Sequence, residues 1–159
     1  MEDRQQRRQQ IIQACLDLQQ HVAATAKHEM DSAQQQSNEY GPNVDRYDAY
    51  RTKLMRNRDM FAKQLSIANA SIRVLQELQR VQPMSIADHG AIVITNKQNF
   101  FLSAGIGKFL VPYQSPENVP QQVFFAISAQ TPIYMALKGK HVGDTITFNG
   151  TTQEIVEIL

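Results

Sequence analysis

The chain has 159 residues with 16 basic and 15 acidic side chains, a net charge of +1. This length fits one ordinary domain or two small ones, and so balanced a charge gives no global field that would demand nucleic acid or an anionic membrane. The single cysteine, Cys15, cannot form an internal disulfide and fits a reducing compartment. No apolar run approaches the roughly 18 residues that cross a bilayer. After Arg7-Arg8, Ile11-Ile12 is followed by Gln13, Asp17 and Gln19-Gln20, so we expect no signal peptide. We therefore expect a cytoplasmic protein that does not contact a membrane.

The composition changes near Pro83. Residues 1–80 contain 12 of the 16 basic and 10 of the 15 acidic residues, but one Gly and one Pro. Residues 81–159 contain six Gly and five Pro. Because Gly and Pro punctuate turns and their absence permits long helices, the sequence predicts two domains, at 1–80 and 84–159.

Apolar or small residues recur in the first half at steps of three and four, which predicts two helices with narrow coiled-coil seams. The two seams are Ile11, Cys15, Leu18, Val22, Ala26, Met30 and Ala33, then Tyr47, Tyr50, Leu54, Phe61, Leu65, Ala68, Ile72, Leu75 and Leu78. Gly41-Pro42 separates them, because Pro interrupts a helix. The connection is short, so we expect an antiparallel hairpin of two helices, each roughly 50 Å long.

Such a hairpin has two interpretations that periodicity does not separate. It could be a dimerisation element or spacer, or it could be a rigid probe that carries its tip away from its base. Acidic residues near the tip supply candidate functional groups, of which we single out Glu39, Asp45 and Asp48. Carboxylates there could hold Mg²⁺, which prefers oxygen ligands; alternatively, Asp45 and Asp48 simply favour a helix N-terminus.

A basic stretch follows the tip, with Arg51, Lys53, Arg56 and Arg58 as its main members. It is either a contact for phosphate or for an acidic protein, or a mixed solvated helix face.

Short β-branched and aromatic runs in the second half predict strands. They are 91–95, 99–103, 108–111, 122–127, 145–148 and 153–158. Thr131 and Pro132 have the types favoured at a helix N-cap and first turn, and Lys138-Gly139 ends that short helix. Asn149-Gly150 is a strong type I′ hairpin signal. We therefore predict an α+β domain in which one short helix covers an antiparallel sheet.

The segment from Ile127 to Asp144 resembles the C-terminal signature of the Gre-type transcription elongation factors. An Ile-Ser pair, a Thr-Pro pair, Ala136-Leu137 and the Gly-Lys-His-Val-Gly-Asp run that starts at Gly139 occur in the family's order. The final stretch 154–158 is similar to the family's last strand, and the hairpin precedes this domain as it does in the family. The resemblance spans nearly the whole chain and is to a short, divergent bacterial branch.

The resemblance implies an FKBP-like C-terminal domain that docks at the rim of the secondary channel of RNA polymerase. The implied docking residues are Gln130, Thr131, Pro132 and Ile133. The family usually has an acidic residue at the position of Gln130. The partner expected is therefore RNA polymerase, with possible indirect contact with RNA or DNA, and the chain itself is expected to be a monomer.

The tip departs from the family's pattern, Gly-Asp-Leu-Ser-Glu-Asn-x-Glu-Tyr. When the chain is aligned on Tyr47, the two positions that help hold a catalytic Mg²⁺ fall on Tyr40 and Asn43, which carry no carboxylate. Glu39 and Asp45 lie close by, but a metal bridge tolerates little displacement. We therefore expect a factor that modulates elongation, pausing or initiation without efficient transcript cleavage. It would have no cofactor of its own, and Mg²⁺ would matter only in complex with polymerase.

Three other functions compete with this prediction. The first is a coiled-coil adaptor between proteins that is unrelated to transcription, and the second is an active cleavage factor. The third is a prolyl isomerase with an aromatic pocket drawn from Phe100, Phe101, Phe109, Tyr113, Phe124 and Phe125; alternation makes most of these residues ordinary core, and a fold does not confer activity. Cys15 lies on a helix seam and is expected to be a small core residue rather than a nucleophile.

Overall fold

The computed structural model describes residues 3–39, 48–112 and 122–159. Two long helices come first, α1 (Arg4–Glu39) and α2 (Asp48–Leu78). Six strands and one short helix follow, namely β1 (Ile92–Thr95), β2 (Asn99–Leu102), β3 (Gly107–Val111), β4 (Gln122–Ile127), α3 (Pro132–Leu137), β5 (Thr145–Phe148) and β6 (Thr151–Ile158). The predicted α+β class is confirmed. Within the described ranges, no helix is long and apolar enough to cross a membrane.

The strands form one sheet in the order β3-β4-β2-β1-β6-β5. Four of the neighbouring pairs are antiparallel, but β2 and β4 are parallel, with Phe101 opposite Ala126. The prediction of a wholly antiparallel sheet was therefore wrong at this pair. Both faces of β4 are apolar, which suits an interior strand. The exposed Lys108 and Leu110 place β3 at the edge instead, so β4 lies between β3 and β2.

Two compact units make up the chain. One contains Met1–Leu18 and Arg73–Leu159, and the other is Gln19–Ile72. The domain boundaries drawn from composition, 1–80 and 84–159, stay a prediction. In the first unit, α3 packs on one side of the sheet over an apolar cluster. This cluster consists of Ala87, Ala91, Val93, Phe100, Leu102, Ile133, Tyr134, Leu137, Ile146, Ile155 and Ile158.

In the second unit, α1 and α2 run antiparallel. Gln34 accepts a hydrogen bond from Arg58 (2.7 Å), and Ser37 Oγ donates to Met55 Sδ (3.6 Å). A step of three residues forward along α1 thus corresponds to a step of three back along α2. Small buried residues line the contact, namely Ala23, Ala26, Ala33 and Ser37 on α1 and Ala68 on α2. The predicted antiparallel pairing of the two helices is confirmed.

The exact seam of α1 differs from the predicted one. Val22 is 38% exposed, whereas Ala23 and Gln19 are buried. Steps of three and four residues drift slowly around a helix, because its period is 3.6 residues. After Cys15 the buried positions are therefore Gln19 and Ala23, in place of the predicted Val22. On α2, Tyr50 is exposed while Leu54 is buried.

Arg8 is fully buried in the first unit, a position that the sequence did not predict. Its guanidinium donates to four main-chain oxygens: Leu78 (3.2 Å), Val81 (3.1 Å), Gly90 (2.6 Å) and Leu159 (3.1 Å). Burial lowers the pKa of this guanidinium, but arginine keeps its charge in proteins. A single side chain therefore joins the end of α2, the approach to β1 and the residue after β6.

The neighbouring arginines hold the same region from its surface. Arg4 donates to the carbonyl oxygens of Met84 (3.1 Å) and Ile158 (2.7 Å), and Arg7 pairs with the carboxylate of Glu157 (2.8 Å). Gly90 completes the contact. Its φ is +92°, and a Cβ there would lie 2.7 Å from Leu78 Cδ2, so only glycine lets this carbonyl approach Arg8.

We predict that Arg8→Met lowers the free energy of unfolding by about 3–5 kcal/mol, because it removes the donor to the Gly90 and Val81 carbonyl oxygens, at roughly 1–3 kcal/mol for each group fully deprived. Arg7→Met is the matched control, since its ion pair is part-exposed and such pairs contribute at most about 1 kcal/mol. Urea denaturation of both variants measures the difference. Equal losses in the two variants would contradict the role given to Arg8.

Cys15 lies in the core of the first unit with no exposed surface. Burial raises the pKa of its thiol from 9.0 to about 12, because the apolar surroundings disfavour the thiolate. Since the thiolate is the reactive form, the thiol is a small core residue, as the sequence predicted.

We predict that the Cys15 thiol of the folded protein does not react with a disulfide reagent at pH 8, and that one thiol reacts after unfolding in urea. The raised pKa also determines how the free energy of unfolding changes with pH. The unfolded chain ionises first, so the contribution of the neutral thiol to stability is complete below pH 9 and is lost as the pH rises towards about 12. Cys15→Ala should lose less stability than the wild-type chain over this range. Fast labelling of the native protein would show that the thiol is accessible.

Candidate functional site

The loop between β4 and α3 is the predicted docking site, and it is closed by its own hydrogen bonds. Thr131 occupies the N-cap position with φ −83° and ψ 144°, and Pro132 opens the helix, as predicted. The Thr131 hydroxyl donates back to the Ser128 carbonyl oxygen (2.8 Å), as does its N–H (3.1 Å). It makes no capping bond to the helix. The bonds to Ser128 therefore fix the loop conformation.

The four predicted docking residues differ in their access to solvent. Gln130 and Pro132 are exposed and Thr131 is partly exposed, but Ile133 is buried in the apolar cluster under α3. Met135, one turn further along α3, is 65% exposed. The accessible surface therefore consists of Gln130, Thr131, Pro132 and Met135, while the buried Ile133 anchors the start of the helix. The docking role itself stays a prediction.

The Gly-Lys-His-Val-Gly-Asp run holds turns together. Gly139 has φ +80° and its N–H donates to Ala87 O (2.6 Å), and Gly143 has φ +93° and donates to Ile155 O (2.8 Å). The Asp144 carboxylate accepts the His141 N–H at 2.7 Å. The Gly139 contact ties the end of α3 to the segment before β1, the Gly143 contact ties the following turn to β6, and the Asp144 contact closes that turn before β5. Much of the motif thus serves the fold, because these contacts hold the end of α3 and the turn that follows it.

The structure places the candidate tip acids only in part. Glu39 is the last residue of α1 and is exposed, with its Oε1 accepting a hydrogen bond from Gln35 (3.2 Å). Asp48 is the first residue of α2, and its side chain is outside the described part of the chain. Tyr40, Asn43 and Asp45 also lie outside the described residues. Among the residues that the structure describes, no group of three or more His, Cys, Asp or Glu side chains could hold a metal ion.

The basic residues of α2 divide between two sides of the helix. Arg51 and Arg58, two turns apart, are both partly buried, and Arg58 also contacts Asp59 Oδ1 at 2.9 Å. Lys53 and Arg56 are one turn apart and exposed. Because residues three or seven apart share a helix face whereas residues two apart do not, the first pair lies beside α1 and the second pair faces solvent.

The aromatic residues considered for an isomerase pocket belong largely to the sheet. Phe100, Phe101, Phe109 and Phe124 are buried, and the rings of Phe109 and Phe124 stack with centroids 5.7 Å apart. Tyr113 lies outside the described residues.

The sequence did not reveal two adjoining depressions between α1 and the edge strand β3. They have volumes of about 410 and 390 Å³ and share Ala14 and Leu110. The only signal in the sequence was Leu110. It is apolar, but alternation along β3 places it on the other face of the strand from the buried Phe109 and Val111.

Comparisons of the chain with protein-family models, with curated proteins and with solved structures gave no significant match.

Proposed function

We propose that this chain is a Gre-like transcription factor that binds RNA polymerase at the secondary channel and modulates elongation, pausing or initiation without efficient transcript cleavage. The observation that carries the proposal is the order of two features along one chain: an antiparallel pair of long helices, and then the α+β domain with the Ile127–Asp144 motif. The family assignment and the FKBP-like fold rest on the resemblance in sequence, whereas the expectation of a cytoplasmic location rests on the composition and the single cysteine.

The contacts between the two helices support the proposal. Within the second unit, Arg58 donates to Gln34 and Ser37 donates to Met55, so α1 and α2 pair there in a defined antiparallel register. Two long helices of one chain that pair in this way suit a probe.

The docking loop supports the proposal through its chemistry. Gln130 and Pro132 are exposed on a loop that internal bonds hold closed, and Met135 extends the accessible surface. A preformed loop binds at a lower entropic cost than a flexible one. Gln130 replaces a charge by an amide, so this contact would depend on hydrogen bonding and apolar packing more than on ion pairing.

The residues near the tip favour a mechanism in which the protein acts by filling the channel rather than by catalysis. Neither aligned position supplies a carboxylate, and Glu39 already accepts a hydrogen bond from its own helix. In this mechanism the helix pair fills part of the channel and alters nucleotide entry or pausing, while any RNA cleavage is catalysed by the polymerase itself.

We predict that the purified protein co-migrates with core RNA polymerase that carries a backtracked, labelled RNA, and that the RNA shortens no faster than with polymerase alone. Gln130→Ala combined with Pro132→Ala should weaken binding about tenfold, as the loss of a contact of more than 1 kcal/mol requires. Lys97→Ala is the matched control, because Lys97 is exposed in the turn between β1 and β2 of the same unit.

Each other outcome of this experiment has a clear meaning. Rapid shortening that is lost in Glu39→Ala or Asp45→Ala would show that the tip supports cleavage. Failure of the wild-type protein to bind core polymerase would refute the assignment and leave the coiled-coil adaptor as the better candidate.

The adaptor is also tested by the oligomeric state. Its seams would pair between chains, whereas the observed contacts of Gln34 with Arg58 and of Ser37 with Met55 join the two helices of one chain. We predict that sedimentation equilibrium gives the monomer mass of 18.1 kDa at all concentrations from about 1 to 100 μM, the range in which weak dimers form. A mass that doubles over this range would favour the adaptor.

A further inference from the structure

The outward side of α2 carries a row of exposed side chains at heptad spacing. Lys53, Met60 and Ile67 are seven residues apart, and Arg56 and Lys63 repeat at the same interval three residues beyond Lys53 and Met60. All five are exposed, Met60 by 48% and Ile67 by 59%. We call these five residues the α2 stripe. It lies within the second unit, and its spacing of three and four is that of a coiled-coil seam.

The α2 stripe is separate from the seam towards α1. The inner seam runs through Leu54 and Ala68, which are buried at 6% and 2% exposure. Met60 and Ile67 each precede an inner-seam position by one residue, a rotation of about 100° around the helix, and Arg56 and Lys63 lie still further round. The stripe is therefore not needed to hold α1. Single exposed apolar residues are ordinary on protein surfaces, but two of them at a heptad interval between cations form a pattern.

The charge of the stripe is uniformly positive. Lys53, Arg56 and Lys63 are its polar members, and it contains no acidic residue. The nearby Asp59 is paired with Arg58 at 2.9 Å. In the part of the chain that the structure describes, none of the three stripe cations has an ion pair with a carboxylate. A surface of this kind is complementary to apolar side chains flanked by carboxylates.

We propose that the α2 stripe docks an acidic amphipathic helix of a partner protein, whose apolar side chains cover Met60 and Ile67 while its carboxylates meet Arg56 and Lys63. The heptad interval favours a helix, because a second helix repeats its own side chains at the same interval and can follow the stripe. This surface goes beyond the proposed function and does not depend on it.

Other occupants fit the stripe less well. A nucleic acid strand is bound through tracks of cations together with aromatic stacking platforms. The stripe supplies cations, but Met60 and Ile67 offer no ring on which a base could stack. An anionic membrane surface requires a large apolar face, often with Trp, Phe or Leu, and the stripe has two aliphatic side chains. A second copy would bring the same cations face to face if the stripes paired symmetrically, which opposes self-association.

The test uses the full-length chain and a fluorescent synthetic helical peptide of about four heptads. The peptide carries Leu at one seam position of each heptad and Glu at the other, and a comparison peptide carries Lys in place of Glu. Fluorescence anisotropy should show binding of the Glu peptide and none of the Lys peptide at about 100 μM protein, the range of weak helix contacts. No polymerase is present, so the outcome is independent of the polymerase assignment.

Variants at exposed positions locate the binding surface. Met60→Ser with Ile67→Ser should weaken binding of the Glu peptide at least about tenfold. Arg56→Glu with Lys63→Glu should abolish that binding and create binding of the Lys peptide, a reversal that misfolding would not produce. Asn69→Glu is the matched control, since Asn69 is exposed on α2 and is neither three nor four residues from any member of the stripe, and it should change the affinity no more than about twofold.

The proposal is overturned if the Glu peptide does not bind, if both peptides bind alike, or if Asn69→Glu weakens binding as much as the stripe variants do. It is also overturned if single-stranded RNA or anionic phospholipid vesicles bind more tightly than the peptide and lose binding in the same variants. A concentration-dependent dimer that Ile67→Ser abolishes would assign the stripe to a second copy of the chain instead.

Discussion

A buried cation solvated only by main-chain oxygens is the constraint on which the first unit depends. Arg8 has no exposed surface. Its four acceptors are carbonyl oxygens of Leu78 at the end of α2, Val81 just beyond it, Gly90 before β1 and Leu159 after β6. Desolvating a guanidinium is costly unless every donor finds a partner. The arrangement is therefore stable only when all four segments are in place together, which makes the joining of helix ends and sheet cooperative. Gly90 is part of this constraint, because a side chain at that position would displace Leu78.

In the C-terminal motif, residues that hold the fold stand next to residues that stay accessible to solvent. Gly139, Gly143 and Asp144 fix the end of α3 and the turn that follows it, and Ile133 is buried in the apolar cluster. The residues left accessible are those of the loop before α3 and the outer side of that helix. The residues of this signature therefore fall into two groups, those that the backbone geometry requires and those that remain exposed. Its glycine and aspartate positions follow from backbone geometry, whereas only its exposed positions can carry a specific contact.

The two sides of α2 have different physical tasks. The inner side is apolar and small, with Leu54 and Ala68 buried, and Arg58 turns towards α1, where it bonds to Gln34. The outer side keeps Arg56 and Lys63 in water beside Met60 and Ile67. A helix that needed to pair only with α1 would gain nothing from exposed aliphatic residues on its far side. Their presence among cations is the reason to regard this side as a recognition surface.

The sequence by itself determined the helices, five of the six strands to within a residue at either end, the Thr131-Pro132 start of α3 and the Asn149-Gly150 turn, because these features depend on local periodicity, capping and backbone preference. Asn149 and Gly150 both have positive φ, as a type I′ turn requires. The tertiary structure decided the parallel pairing of β2 with β4, the exposure of Val22 and the burial of Arg8. It also decided which of the basic residues of α2 face solvent. These outcomes depend on which distant segments meet: a strand sequence does not name its neighbours, and an arginine next to two others in a polar N-terminal stretch carries no local sign that four carbonyls will surround it.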